Sequence, residues 1–145
     1  MAEALAYFDT SVLIKRYVEE PGSAYARRLM RRYHLLSSVI TPVETVSAIA
    51  CRYQAGEVTR THFDAIVARM RADRLYWDLV ELGAGVLEAA EQLLLQTPVG
   101  TLDALLIASA LVLNMESGAP LPFATADARQ REAADHVGLK VVWVT

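Results

Sequence analysis

The chain has a single cysteine, Cys51, which excludes an internal disulfide and any multi-cysteine zinc site. Its three histidines, His34, His62 and His136, are scattered without the paired spacing a zinc site requires. No apolar run is long enough to span a bilayer. The longest, Ala104 to Leu113, is roughly half a span and contains Ser109, so it reads as a buried helix. Met1 to Asp9 carries neither a basic head nor a small-residue cleavage site, so no secretory signal is expected and a cytoplasmic location is the simplest inference. Ser11 lacks a nucleophile-elbow sequence, which argues against serine hydrolase chemistry. There is no internal repeat, low-complexity tract or interdomain linker, and 145 residues are enough for one domain, 1–145, with one continuous core.

What is present is apolar and modestly acidic. Hydrophobic residues make up 54% of the chain and charged residues 21%, which excludes disorder. A net charge of −3 excludes a polycation built to coat nucleic acid. The basic residues are nevertheless uneven: Arg27, Arg28, Arg31 and Arg32 crowd one predicted helix, either as a phosphate-contacting patch or as an ordinary solvated face. Cys51 is expected to be a small buried residue on the apolar side of its helix, and Trp77 and Trp143 to serve core or interface packing.

Short apolar runs alternate with helical spacing along the whole sequence. Leu5 to Phe8 predicts a buried strand ending at Asp9, and Thr10 to Val18 a helix closed by Pro21-Gly22-Ser23. Ser23 is expected to cap a helix reaching Tyr33, followed by a strand at Leu35 to Ile40. Thr41-Pro42-Val43-Glu44 has the order of an N-cap, a first-turn proline and a capping-box acid, and its helix should end near Gly56. Further helices are expected from Thr59 or Thr61, from Val86 to Gln96, from Thr101, and after Asp127 to about Val137. Strands are expected at Tyr76 to Leu82, Leu121 to Thr125 and Lys140 to Val144, with Asn114 to Pro120 as the most loop-like segment. This alternation predicts an α/β fold with a central, mostly parallel sheet covered by helices on both faces.

Four carboxylates, Asp9, Glu44, Asp103 and Asp127, each stand where an apolar segment meets a predicted helix start. Ligands in such folds bind beyond the carboxyl ends of the strands. Asp9, Glu44 and Asp127 should share that rim, and Asp103 joins them if its helix start abuts it. Each acid alone has an ordinary explanation as a helix cap or a complement to the helix dipole. Gathered together they would repel one another unless a hard divalent cation, Mg²⁺ or Mn²⁺, lay between them. Two other acidic α/β sites fit poorly. A receiver-like phospho-acceptor needs paired acids at the first strand and a lysine ending the last, but Asp9 is unpaired and Lys140 stands at the start of its strand, not its end. A haloacid-dehalogenase-type phosphatase needs an aspartate where Ser11 stands.

Tyr7-Phe8-Asp9-Thr10-Ser11, Lys15, Val18-Glu19-Glu20-Pro21-Gly22-Ser23, Pro42-Val43-Glu44-Thr45-Val46-Ser47-Ala48, Leu102-Asp103-Ala104, Ala124-Thr125-Ala126-Asp127-Ala128-Arg129 and Gly138-Leu139-Lys140-Val141 occur in that order. With them the chain resembles the PIN-domain proteins, specifically the VapC-type toxin ribonucleases of type II toxin–antitoxin systems. The resemblance implies a three-layer α/β/α PIN fold, Mg²⁺- or Mn²⁺-dependent cleavage of RNA, homodimerisation or a higher toxin–antitoxin assembly, and a cognate antitoxin. It places Asp9, Glu44, Asp103 and Asp127 at the family's acidic, metal-binding positions, with Thr125 and Ser11 supporting them. Lys15, Arg16 and Arg129 are the candidate RNA contacts, and the helices carrying Leu13, Tyr17 and Val46 the candidate walls of an antitoxin groove. Leu106 departs from the pattern, standing where many relatives carry histidine. The rival reading is a catalytically silent PIN-like module that binds RNA or protein.

Overall fold

The computed structural model describes residues 3–145; Met1 and Ala2, part of the segment read above for a leader, lie outside the described residues. Five strands form one sheet in the order β3-β2-β1-β4-β5, every pairing parallel. The strands are β1 (Leu5–Phe8), β2 (His34–Ser38), β3 (Asp78–Val80), β4 (Pro122–Thr125) and β5 (Lys140–Trp143). Between them run α1 (Thr10–Tyr17), α2 (Ser23–Arg32), α3 (Thr41–Gln54), α4 (Arg60–Asp73), α5 (Ala84–Gln96), α6 (Thr101–Ser117) and α7 (Ala128–His136).

Side-chain alternation along the strands builds the layers. Tyr7, Leu36 and Phe123 point into one core with Val86, Ala90 and Leu93 of α5, Ala104, Ile107 and Ala108 of α6, and Ala133 and Ala134 of α7. Their neighbours Ala6, Phe8, Leu35 and Ala124 face the other way, against Val12 and Leu13 of α1 and Ala26 and Leu29 of α2. A smaller cluster of Tyr17, Ile49, Val58, Ile66 and Met70 packs α3 and α4 against the end of α1. The result is the expected helix/sheet/helix sandwich. Because β1 is central, the chain builds outward through β2 and β3, then returns to β4 and β5 on the other side. The crevice between β1 and β4, at this reversal, is where a ligand site is expected.

Several local expectations are corrected. Tyr76 to Leu82 is not one strand: a 3₁₀ turn over Arg74–Tyr76 precedes a β3 of only Asp78–Val80. Asn114 to Ser117, expected as loop, extends α6, which ends at Gly118 in the left-handed conformation (φ 70°) with its N–H on the Asn114 carbonyl. The polar side chains there serve the helix end: Asn114 Oδ1 accepts from the Leu121 N–H at 3.0 Å, and Ser117 Oγ donates to the Ala119 carbonyl at 2.8 Å. Ser23 does not cap α2, where Gly22 occupies the cap position at φ 90°. Its hydroxyl instead accepts from the Glu20 N–H at 2.9 Å and donates to the Val18 carbonyl. Cys51 is exposed rather than buried.

Candidate active site

All four acids sit at helix starts. Asp9 follows β1 directly at the N-cap of α1, and its backbone N–H bonds to the Ala124 carbonyl of β4 at 2.9 Å, locking it at the β1/β4 crevice. Glu44 lies in the first turn of α3, Asp103 in the first turn of α6, and Asp127 at the N-cap of α7. The positive ends of four helix dipoles are thereby assigned to acidic side chains.

Capping accounts for only one of them. Asp127 Oδ1 accepts from the backbone N–H groups of Arg129 at 2.8 Å and Gln130 at 3.4 Å, an ordinary cap. Asp9 makes no side-chain cap hydrogen bond, and the capping box expected of Thr41 and Glu44 does not form. Thr41 is already inside α3, and its hydroxyl turns into the core toward Ser37 at 2.7 Å and the Ser38 N–H at 3.3 Å. Glu44 is thus released toward the rim.

The carboxylates are held by neutral donors. Asp9, only 3% exposed, accepts on Oδ2 from Ser11 Oγ at 2.6 Å and Thr125 Oγ1 at 3.0 Å. Ser11 and Thr125 are themselves tied down: Ser11 Oγ accepts from the Ala126 N–H at 2.9 Å and Thr125 Oγ1 from the Asp127 N–H at 3.1 Å. Glu44 Oε1 accepts from Thr10 Oγ1 at 2.9 Å, and Asp103 Oδ1 from Gln130 Nε2 at 2.9 Å. Among the described residues these side-chain and capping bonds fall on one oxygen of each carboxylate. Among the described residues, none of the ion pairs involves any of the four acids.

Electrostatics ties the acids into one site. Burial pushes the Asp9 carboxyl above the usual carboxylate range; the Ser11, Thr125 and Thr10 donors oppose this and the Asp127 charge adds to it. Burial likewise raises Glu44, opposed by the Thr10 hydroxyl and reinforced by the charges of Asp9 and Asp103. Asp9 therefore feels the charge of Asp127, and Glu44 the charges of Asp9 and Asp103. Among the described residues no three His, Cys, Asp or Glu side chains close into an ion cage by themselves. The donor set nonetheless fits a hard cation: Mg²⁺ prefers carboxylate oxygen, keeps several of its own waters, and needs only one or two direct carboxylate contacts.

The candidate RNA contacts separate. Lys15 is buried and committed elsewhere, its ammonium donating to Glu20 Oε1 at 3.0 Å and the Pro21 carbonyl at 2.6 Å. Arg16 pairs with Asp73 at 3.0 Å, at the end of α1 away from Asp9. Arg129 is exposed and shares a hollow of about 130 Å³ with Asp103, Gly100 and Glu132. Leu13 and Tyr17 are buried core residues and Val46 is partly buried against the same α1/α3/α4 packing, while the edge of Tyr17 borders an open cavity of about 340 Å³ with Arg16, Arg27, His62 and Arg69. Open apolar surface lies instead beside Glu44, where Ile40, Val43, Ala48 and Leu102 border a cavity of about 520 Å³; Val43 is 72% exposed and Leu102 52%. Two residues of the site carry no distinct signal in the sequence: Thr10, inside the Asp-Thr-Ser triplet, which holds Glu44, and Gln130, which holds Asp103.

Comparison with known proteins identifies the family and the fold. The PIN domain family model matches residues 6–136. A curated relative, ribonuclease VapC46 of Mycobacterium tuberculosis, is 31% identical over 140 residues, covering 96% of this chain and 97% of the relative. Among solved structures, FitAcB from Neisseria gonorrhoeae superposes with a TM-score of 0.70 at 17% identity, covering 94% of this chain and 96% of that one. VapBC2 from Rickettsia felis, bound to a DNA fragment from its promoter, superposes with a TM-score of 0.68 at 10% identity over 97% and 99% of the two chains. By the family match, the curated relative and the shared fold, this chain belongs to the PIN-domain family, in its VapC-type branch.

Proposed function

We propose that the chain is a Mg²⁺- or Mn²⁺-dependent endoribonuclease, the toxin of a toxin–antitoxin pair, acting through Asp9, Glu44, Asp103 and Asp127. One observation carries this: acids from four helix starts share a rim, each held on one oxygen by a neutral donor, with no cation paired to them among the described residues. A site meant only for structure would neutralise such charges with lysine or arginine. The relative's designation as a ribonuclease supports the same reading.

Asp9 and Asp103 are the strongest candidates to hold the ion, with Glu44 and Asp127 contacting it directly or through water. Bound there, the ion would lower the pKa of water and offset the charge that builds on the phosphodiester. Ser11 and Thr125 keep Asp9 in one orientation, and Thr10 does the same for Glu44. Arg129, exposed in the same hollow as Asp103, would meet a backbone phosphate. Single-stranded or looped RNA is the expected substrate, since its base edges are open to readout. Attack by water leaves a 5′-phosphate and a 3′-hydroxyl, without a cyclic phosphate.

The partner is proposed to be an antitoxin that seats an apolar side chain in the hollow bordered by Val43 and Leu102 and so covers Glu44. The solved relatives described as toxin–antitoxin complexes support that choice of partner. Exposed Leu87, Leu94 and Leu95 on α5 offer an apolar face for self-association. Incubating the purified chain with single-stranded RNA, with Mg²⁺ and with EDTA, tests the activity. Ion-dependent cleavage to 5′-phosphate ends supports the nuclease. Tight RNA binding without cleavage supports the silent module, and a 2′,3′-cyclic phosphate on the product excludes the mechanism.

A further inference from the structure

Gln130 is 1% exposed, yet it is polar and lies in the first turn of α7, three residues after the cap Asp127. A glutamine at that position ordinarily reaches back to the N–H of the capping residue. Here the Asp127 N–H is taken by Thr125 Oγ1 at 3.1 Å, and the Gln130 amide turns across to α6, donating from Nε2 to Asp103 Oδ1 at 2.9 Å. A carboxylate can only accept, so the NH₂ group must face it. The amide oxygen, Oε1, is then buried with no hydrogen-bond partner among the described residues. A buried, half-satisfied amide is unfavourable for packing alone, and an apolar side chain would fill the space at less cost.

We propose that Gln130 is a positioning residue of the carboxylate site: it fixes Asp103 through one oxygen and leaves the other directed to a divalent ion. This inference rests on the reading of the site given above. The amide does what a cation could not, orienting Asp103 without cancelling the charge that attracts the ion. It also joins two of the four acids, because the Gln130 backbone N–H is held by Asp127 Oδ1 at 3.4 Å while its side chain holds Asp103. Displacement of α7 would therefore disturb both carboxylates together. Partners of this kind typically change metal affinity or activity 10- to 100-fold when removed.

The test compares wild type, Gln130→Met and Asp103→Asn by calorimetric titration of metal-free protein with Mn²⁺, alongside thermal melts in EDTA. Methionine keeps roughly the volume and removes the donor. The expected result is a Kd for Mn²⁺ weakened about 10- to 100-fold in Gln130→Met, with a folded melt in EDTA. Cleavage lost at limiting ion should recover as the ion is raised, with KM for RNA unchanged. Wild-type Mn²⁺ affinity in Gln130→Met, with Asp103→Asn impaired, overturns the role of Gln130 while leaving the site intact. No Mn²⁺ uptake by wild type overturns the site itself. A second measurement needs no variant at position 130: the Gln130 side-chain NH₂ resonances of the wild-type protein should move when Mg²⁺ is added. Resonances that stay fixed while Mg²⁺ binds refute the proposal.

Discussion

Replacing Asp9 by Asn should make the metal-free protein more stable and the metal-loaded comparison less favourable to the variant. In wild type, a nearly buried carboxylate has hydroxyl partners but no cation among the described residues, and burial raises its pKa, so its ionised form is held at a free-energy cost. Asparagine keeps one oxygen for Ser11 and Thr125 and carries no charge. It gives up the charge assistance in those two hydrogen bonds, each worth about 1.5–3 kcal/mol to a charged group against roughly 1 to a neutral one. It also escapes a desolvation cost of several kcal/mol and the repulsion from Asp127. The balance favours the variant by about 1–2 kcal/mol. For a domain of this size that is a Tm rise of about 3–8 °C in EDTA near pH 8.

Adding Mg²⁺ should reverse the order. At an ion concentration of about 100 times its Kd, wild type gains about 2.7 kcal/mol from binding, while Asp9→Asn gains little. Circular dichroism melts of both proteins, in EDTA and across a Mg²⁺ series, read the crossing directly. A variant less stable than wild type in EDTA, together with no Mg²⁺ shift in either protein, would refute the reasoning. Asp9 would then be a satisfied structural acid.

Three further outcomes follow from the same geometry. Asp9 and Glu44 have folded-state pKa values raised above their unfolded ones, so the folded state binds protons more tightly. Their contribution to metal-free stability is therefore greatest at or below roughly pH 4 and is lost as pH rises through the raised folded values. The Mg²⁺-induced Tm increase should grow over that window, and an increase that shrinks from pH 5 to 8 would contradict the sign. Asp127→Ser should keep the cap of α7, costing less than about 1 kcal/mol, but should weaken Mn²⁺ binding in calorimetry. An unchanged affinity would make Asp127 a cap and nothing more. Lys15→Met should lower Tm by about 3–10 °C, from 1–3 kcal/mol lost with the Glu20 pair and the Pro21 bond, with KM for RNA unchanged. A raised KM at constant Tm would restore Lys15 as a phosphate contact.

The positions of the acids were legible because each was a local event: an apolar run ending, then a polar residue opening a helix. Asp9 after Leu5–Phe8 and Asp127 after Pro122–Thr125 needed nothing more than period-two burial followed by a cap signal. The partners of those acids were less legible because they are set by packing between elements distant in sequence. Gln130 and Asp103 are separated by 27 positions and meet only because α6 and α7 pack on the same face of the sheet. Its spacing from Asp127 even carried a misleading local meaning, since it fits a capping box that Thr125 pre-empts. Thr41 failed in the same way: the order Thr-Pro-x-Glu promises a box, but Ser37 and the Ser38 N–H in the core compete for its hydroxyl. The exposure of Cys51 and the extension of α6 through Ser117 are illegible for a simpler reason, that composition alone does not fix which side of a helix is covered or where its last turn unwinds.

The placement of positive charge completes the electrostatic account. At an effective dielectric of about 20, a lysine or arginine 4 Å from a carboxylate attracts it by about 4 kcal/mol, enough to compete with an incoming divalent ion. The helix that opens with Asp9 closes with Lys15 and Arg16, where cations complement the negative end of its dipole. There they are engaged by Glu20 and Asp73, and Glu20 also holds Arg52. The same helix thus carries its acid at the N-cap and its cations in the last turn. Among the described residues the rim receives hydroxyls, one amide and backbone N–H groups, which orient carboxylates while leaving their charge in place. Negative charge left uncompensated where four helix starts converge is a standing attraction for a cation, and its cost in the empty site is what Asp9→Asn would measure.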